Sequence, residues 1–236
     1  MTQVTFPAGL GPQEDLQTVV ESRTREWHFH IYFLLQSPTE TAAALALRDA
    51  VLRLRRDGAF VAVPLQRVNK EPIGPHPAGS YEIWVPDTSF SEVFFYLATN
   101  RGNLRYEPPP FHFTCEHKPP RSTLPALDAL SFLMAKINTV HFDSKKLYSI
   151  LVHPLTSQQR RDHESRNAWL GTPWPIYLDG LPRKSDEVPL QYPELRLGWS
   201  AAPEDEISLD ERRKRGAKIE ALLANDPEAA PAPVDK

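Results

Sequence analysis

One cysteine, Cys115, occurs in 236 residues, which excludes an intrachain disulfide and makes a reducing, cytoplasmic setting the simplest expectation. No apolar run approaches the length of a membrane span. The first 24 residues lack a basic start followed by an apolar stretch, so neither anchor nor export signal is expected. A net charge of -3 supplies no field for nucleic acid or an anionic membrane. Glycine is scarce at 10 residues against 24 prolines, a balance that favours rigid turns and extended connections over flexible ones. What is present is a hydrophobic fraction of 41% with 10% aromatics, enough for one core of ordinary size with decorations.

The most informative stretch is Trp27-His28-Phe29-His30-Ile31-Tyr32-Phe33. Ring nitrogens alternate with large apolar groups, so a strand over residues 26–35 puts His28, His30 and Tyr32 on one face and Trp27, Phe29, Ile31 and Phe33 on the other. Residues 1–24 show no periodicity and read as a flexible arm. After the strand, Ser37-Pro38-Thr39-Glu40 combines a cap, a first-turn proline and a capping-box glutamate, which predicts a helix to Asp57 ended by Gly58. Its Leu47, Val51 and Leu54 form an apolar stripe.

A short strand over 60–63, a Pro/Gly loop over 68–79 around His76 and a strand over 80–85 follow. Ser89 and Glu92 signal a second capping box and a helix over 90–100. A strand over 149–153 precedes a helix capped near Thr156 and ended by Gly171. Strand, helix, strand, strand, helix, strand is the split βαβ order, so the expected class is α+β of the ferredoxin-like type with helices on one sheet face. If Phe29, Ile31, Ile83, Ile150 and Val152 face the helices, then His28, His30, Tyr32, Glu82, Trp84 and His153 share the open face.

Residues 105–148 interrupt this order. The segment carries His112, His117 and His141, one plausible helix over 127–137, and six prolines. Joining Leu104 directly to Ser149 would leave a compact helix-turn-strand junction, so the segment reads as inserted, either as a surface lobe or as a stretch that message processing would remove. Its three histidines and Cys115 read as packing or surface residues. The expected domain therefore covers 25–182. Residues 183–236 form a polar extension with a charged helix over 208–224, whose run at 212–215 reads as a solvated face, and a disordered Ala/Pro tail.

His28 and His30 at i and i+2 can converge on one metal ion, with His153 from a neighbouring strand as third ligand. Nitrogen and oxygen ligands with positions left open suit iron(II) binding a substrate and dioxygen together; Glu82 offers a carboxylate in place of one histidine. His76, in a proline-flanked loop, suits acid-base work near neutral pH. His163 can point back from its helix, and Asp162 can orient a histidine. Tyr32 and Trp84 are placed either to stack on an aromatic substrate or to close a homodimer across the open face.

These pieces, His28-Phe29-His30-Ile31-Tyr32-Phe33, Gly74-Pro75-His76-Pro77, Asn100-Arg101-Gly102, Leu151-Val152-His153-Pro154-Leu155-Thr156 and Asp162-His163 leading to Ala168-Trp169-Leu170-Gly171, resemble the DOPA 4,5-dioxygenase family of fungi and bacteria. The resemblance covers about residues 27–171 with the insertion set aside. It implies a ferredoxin-like fold, non-haem iron(II), and extradiol opening of a catechol by dioxygen to seco-DOPA species that cyclise to betalamic acid or muscaflavin pigments. It implies His28, His30 and His153 as metal ligands and His76 and His163 as the catalytic pair, with Tyr32, Glu82, Trp84 and Asp162 around them. The insertion departs from the pattern just before His153, where it would displace that ligand or lid the pocket. Two other readings have their own signatures: a non-catalytic dimeric module that binds a small aromatic or a metal, and a metal-dependent enzyme on another ring.

Overall fold

The computed structural model describes residues 11–101, 149–226, 229, 230 and 232. Among these, five strands form one antiparallel sheet: β1 (Glu26–Phe33), β2 (Val63–Pro64), β3 (Gly79–Pro86), β4 (Ser149–Pro154) and β5 (Ala168–Leu170), in the order β2-β3-β1-β4-β5. Five α-helices are α1 (Leu16–Glu21), α2 (Pro38–Arg56), α3 (Phe90–Asn100), α4 (Gln159–Glu164) and α5 (Leu209–Leu223). The segment 105–148, its expected helix, its three histidines and Cys115 lie outside the described residues. Among the described residues no helix is long and apolar enough to cross a membrane.

The alternation in β1 sets the layers. Phe29, Ile31 and Phe33 join Tyr81, Ile83 and Val85 of β3 and Ile150 and Val152 of β4 in one buried cluster, which α2 completes with Ala44, Leu47 and Val51 and α3 with Val93 and Leu97. Burying side chains of this size contributes about 1.5–3 kcal/mol each. Pairing opposes His28 to Trp84 on one side and His153 on the other, and His30 to Glu82 and Leu151. The period of two therefore sends every polar candidate on these strands to the other face, as the sequence pattern predicts.

The local signals worked unevenly. Ser37 accepts the Glu40 N–H at the start of α2, but the Glu40 carboxyl takes the N–H of Leu34 rather than closing a reciprocal box. Gly58, at φ 84°, lets the chain leave α2 in a conformation that a side chain would resist. At α3 the expected capping box does not form, because the Ser89 hydroxyl accepts the Val61 N–H and so ties the β2 approach to the helix start. The helix expected to reach Gly171 ends at Glu164; residues 168–170 add a fifth strand to the edge of β4. A short helix, α1, capped by Asp15, lies within the stretch expected to be a loose arm.

The second sheet face, expected to be open, is roofed by the chain itself. Trp169, Trp174 and Ile176 pack on Tyr32, Ala78 and Leu151. Further along, Tyr192 packs on Trp84 at 5.0 Å between ring centroids, Gln191 donates to Glu82, and the Trp199 N–H donates to Glu26. Tyr32 and Trp84 are consequently fully buried, and a second copy of the chain is not required to cover them.

Candidate metal centre and active site

All five described histidines converge beneath this roof. His28, His30 and His153 project from β1 and β4; His76 comes from the proline-flanked loop before β3, and His163 from α4. All five are buried. His30 lies at the centre of the cluster, with ring centroids 4.4 Å from His76, 5.0 Å from His153, 5.6 Å from His163 and 5.8 Å from His28. His153 and His163 stand 3.9 Å apart.

His28, His30 and His153 each offer a ring nitrogen, and these nitrogens all lie within 4.8 Å of one another. The far sides of two rings are occupied. The Nδ1–H of His153 donates to the Pro154 carbonyl at 2.8 Å, which directs its Nε2 lone pair to the Nε2 of His30, 2.9 Å away. Nδ1 of His28 faces Glu82 Oε1 at 3.3 Å, and Nε2 of His28 is buried with no hydrogen-bond partner among the described residues. An orphaned buried nitrogen beside two converging ones is the arrangement that a metal ion completes. Glu82 lies on the outer side of His28 and is 3.9 Å from the Nδ1 of His30, so it supports the rings and is not among the three clustered donors.

Electrostatics favour neutral imidazoles. Burial first, then the neighbouring histidines His76, His153, His163 and His28, hold His30 well below its ordinary value. Burial followed by His163 and His28 does the same for His153, against a smaller opposing effect of the Pro154 carbonyl. His76 is pushed down to about 4, mainly by burial, with His163, His28 and Arg67 adding to it. His163 is lowered by burial even though its Nδ1–H donates to the Gln159 carbonyl. Neutral nitrogen donors are what a first-row transition metal takes, so the donor set fits such an ion.

The histidines wall a cavity of about 230 Å³, completed by Pro75, Glu82, Gln159 and Gln191 among others. The hydroxyl of Tyr32 lies 2.6 Å from Nδ1 of His76 at its edge. Burial raises the Tyr32 phenol well above its ordinary value, so it stays protonated.

A family model described as the Dopa 4,5-dioxygenase family matches residues 27–106 and 131–180, more than half of the chain and every histidine of the cluster. The chain belongs to the Dopa 4,5-dioxygenase family. A DOPA 4,5-dioxygenase of Amanita muscaria is 49% identical over 236 residues, an alignment covering 98% of this chain and 84% of that one. The crystal structure of a candidate dioxygenase from Nostoc punctiforme is 22% identical, with a TM-score of 0.43 over 72% of this chain and 96% of that chain, too distant to bear on the site. Between the two matched stretches the family model leaves residues 107–130, a shorter segment than the 105–148 expected as an insertion.

Not every candidate residue of this Dopa 4,5-dioxygenase family member reaches the cavity. Trp84 is buried away from it, donating its indole N–H to Glu26 at 2.8 Å. Asp162 does line the cavity, but its carboxyl is engaged elsewhere, accepting from the Thr156 N–H and hydroxyl and from Arg166 and so fixing the turn from β4 into α4 that presents His163. Tyr32 contributes its hydroxyl to His76 while Trp169 and Trp174 pack on its ring. Sequence reasoning missed Gln159, Leu181, Pro189 and Gln191 of the lining, and Glu26, which accepts from Trp84 and Trp199. Pro189 and Gln191 belong to a proline-rich stretch without periodicity; for Glu26, the one signal was its position on the histidine face of β1.

Proposed function

We propose that this chain is an extradiol dioxygenase that opens the ring of L-DOPA with dioxygen at an iron(II) ion held by His28, His30 and His153. The observation carrying this reading is the convergence of three buried imidazoles in a cavity of a chain belonging to the Dopa 4,5-dioxygenase family. The 49% identity to the DOPA 4,5-dioxygenase of Amanita muscaria supports the choice of substrate. The order β2-β3-β1-β4 with α2 and α3 packed on one face supports reading the fold as ferredoxin-like, extended by β5. Formation of pigment precursors in the cytoplasm is part of the same reading, a setting that a single cysteine suits.

When bound, iron(II) supplies a Lewis acid that acidifies a catechol and electrons that make dioxygen reactive toward the ring. The protein's own share is orientation and proton handling. Glu82 keeps His28 turned inward. His76, neutral at pH 7, is placed to take a catechol proton and return it as the ring opens. A phenol both donates and accepts, so Tyr32 keeps its bond to Nδ1 whichever nitrogen of His76 carries the proton. His163, its Nδ1–H committed to Gln159, presents Nε2 as a second acceptor. The roof contributes Leu181, Pro189 and Gln191 to the cavity wall, and a substrate that displaces water from this cavity strengthens each of these polar contacts.

The test is product analysis after reaction of iron-loaded protein with L-DOPA under isotopically labelled dioxygen. Ring-opened product carrying both labelled oxygen atoms is the expected result; a quinone without label would overturn the reading.

A further inference from the structure

Beyond the histidine cavity lies a second one of about 200 Å³, lined by Arg67, Asn69, Leu65, Ile73 and Gly74 and sharing His30, Pro75, His76 and Glu82 with the first. The two are separated by no more than these shared side chains. The backbone explains why Arg67 faces this way. Val63 pairs with Trp84, the Leu65 N–H donates to the Glu82 carbonyl, and Asn69 pairs with Ser80, so residues 63, 65, 67 and 69 take the parity of Trp84, Glu82 and Ser80. Val68, of opposite parity, packs on the helix-side core instead.

Arg67 is exposed at the mouth of this cavity, and among the described residues no carboxylate pairs with it. Its guanidinium is nonetheless held. The Nε–H donates to Asn69 Oδ1 at 3.0 Å, and Asn69 is pinned to β3 by its side-chain amide on the Ser80 hydroxyl and by its backbone pairing. Anchoring at Nε leaves the two terminal nitrogens, which form the edge that grips a carboxylate in two-point fashion. Arg67 and His76 line this same cavity, which places the cation beside the reacting centre, and its charge adds to the lowering of His76.

Resting on the reading of this protein as an L-DOPA dioxygenase, we propose that Arg67, held by Asn69, receives the carboxylate of the substrate's amino-acid tail. The catechol ring then occupies the histidine cavity and the tail passes His76 and Pro75 into the second one. Arg67 is thus a specificity-determining residue that separates catechol amino acids from catechols lacking a carboxylate.

Three catechols isolate the effect: L-DOPA, dopamine, which lacks the carboxylate, and 3-(3,4-dihydroxyphenyl)propanoate, which keeps it without the amine. In iron-loaded protein, Arg67→Gln is expected to raise KM about tenfold or more for the two carboxylates and to leave dopamine within about twofold, with kcat little changed. Asn69→Ala is expected to act in the same direction by a smaller factor. Equal losses on all three catechols, or wild-type preference for dopamine, would overturn the proposal while leaving the dioxygenase reading intact. Absence of ring opening with every catechol in wild type would mark failure of the dioxygenase reading itself. Anaerobic calorimetry of the same ligands then decides the inference separately: carboxylate-selective binding abolished by Arg67→Gln upholds it, and unselective or absent binding overturns it.

Discussion

Nε2 of His30 and Nε2 of His153 face each other at 2.9 Å across neighbouring strands, and the opposite side of the His153 ring is fixed by the Pro154 carbonyl. This pairing needs the register of β1 against β4 and an unprotonated Nε2 on at least one of the two rings, which burial favours by lowering both. Two nitrogens so arranged, with Nε2 of His28, partnerless among the described residues, beside them, define the centre on which the functional reading depends.

Glu82 supports that centre from outside. Replacing it by Gln keeps the shape but weakens the acceptor facing His28, and iron affinity is expected to fall about 10- to 100-fold. Titration of the metal-free protein with iron(II) under nitrogen measures this. Unchanged affinity would show that Glu82 has no part in holding the rings.

Tyr32 and His76 form a separable pair. Tyr32→Phe removes the hydroxyl 2.6 Å from Nδ1 and is expected to lower kcat by about 10²-fold, the scale of one positioned acid-base group, with iron content unchanged. Metal analysis beside steady-state rates distinguishes this from damage to the ligands. Loss of iron in the variant would count against the division of labour drawn here.

Acid should destabilise the metal-free protein through the same histidines. His30, His76, His153 and His163 have folded-state values below the ordinary 6.5, so below that pH the unfolded chain binds more protons than the folded one. Stability is therefore full above about pH 6.5 and falls as pH drops, by up to about 1.4 kcal/mol per pH unit for each histidine. For His76 the fall ends near pH 4. Thermal unfolding of metal-free protein across this range checks the sign; a Tm that rises on acidification would contradict it.

The roof hangs on Glu26, a 1% exposed carboxyl that accepts the indole N–H of Trp84 and the backbone N–H of Trp199. Gly198 sits at φ 65° against the Glu26 side chain, and an added Cβ would collide with it. Glu26→Gln sets an amide N–H against one of the two donors and should cost about 1–3 kcal/mol. Gly198→Ala combines the collision with an unfavourable backbone and should cost at least about 1 kcal/mol. Denaturant unfolding tests both, and faster proteolysis within residues 190–200 should accompany the loss.

Much of this architecture was legible in the sequence because β1 alternates strictly. Trp27 to Phe33 announces two faces, and a period of two leaves no freedom about which side His28 and His30 share. His153 follows by parity, and all five histidines of the cluster stand in the sequence motifs at strand ends and turns. The roof was not legible. Residues 171–200 hold Pro173, Pro175, Pro182, Pro189 and Pro193 among short 3-10 turns, and irregular backbone has no period to read. The fate of Trp84 turned on that omission, because without the roof its burial and its bond to Glu26 could not be foreseen. The early end of α4 was hidden in the same way: Asp162 serves the turn at Thr156, and β5 is only three residues long.

The most direct measurement is oxygen uptake with visible absorbance after anaerobic iron(II) loading and addition of L-DOPA, in wild type and His30→Ala. Uptake matched to substrate with a yellow product is expected in wild type, and loss of both uptake and bound iron in the variant. Iron-loaded wild type that consumes no oxygen, or a His30→Ala protein that retains iron and turnover, would contradict the functional reading.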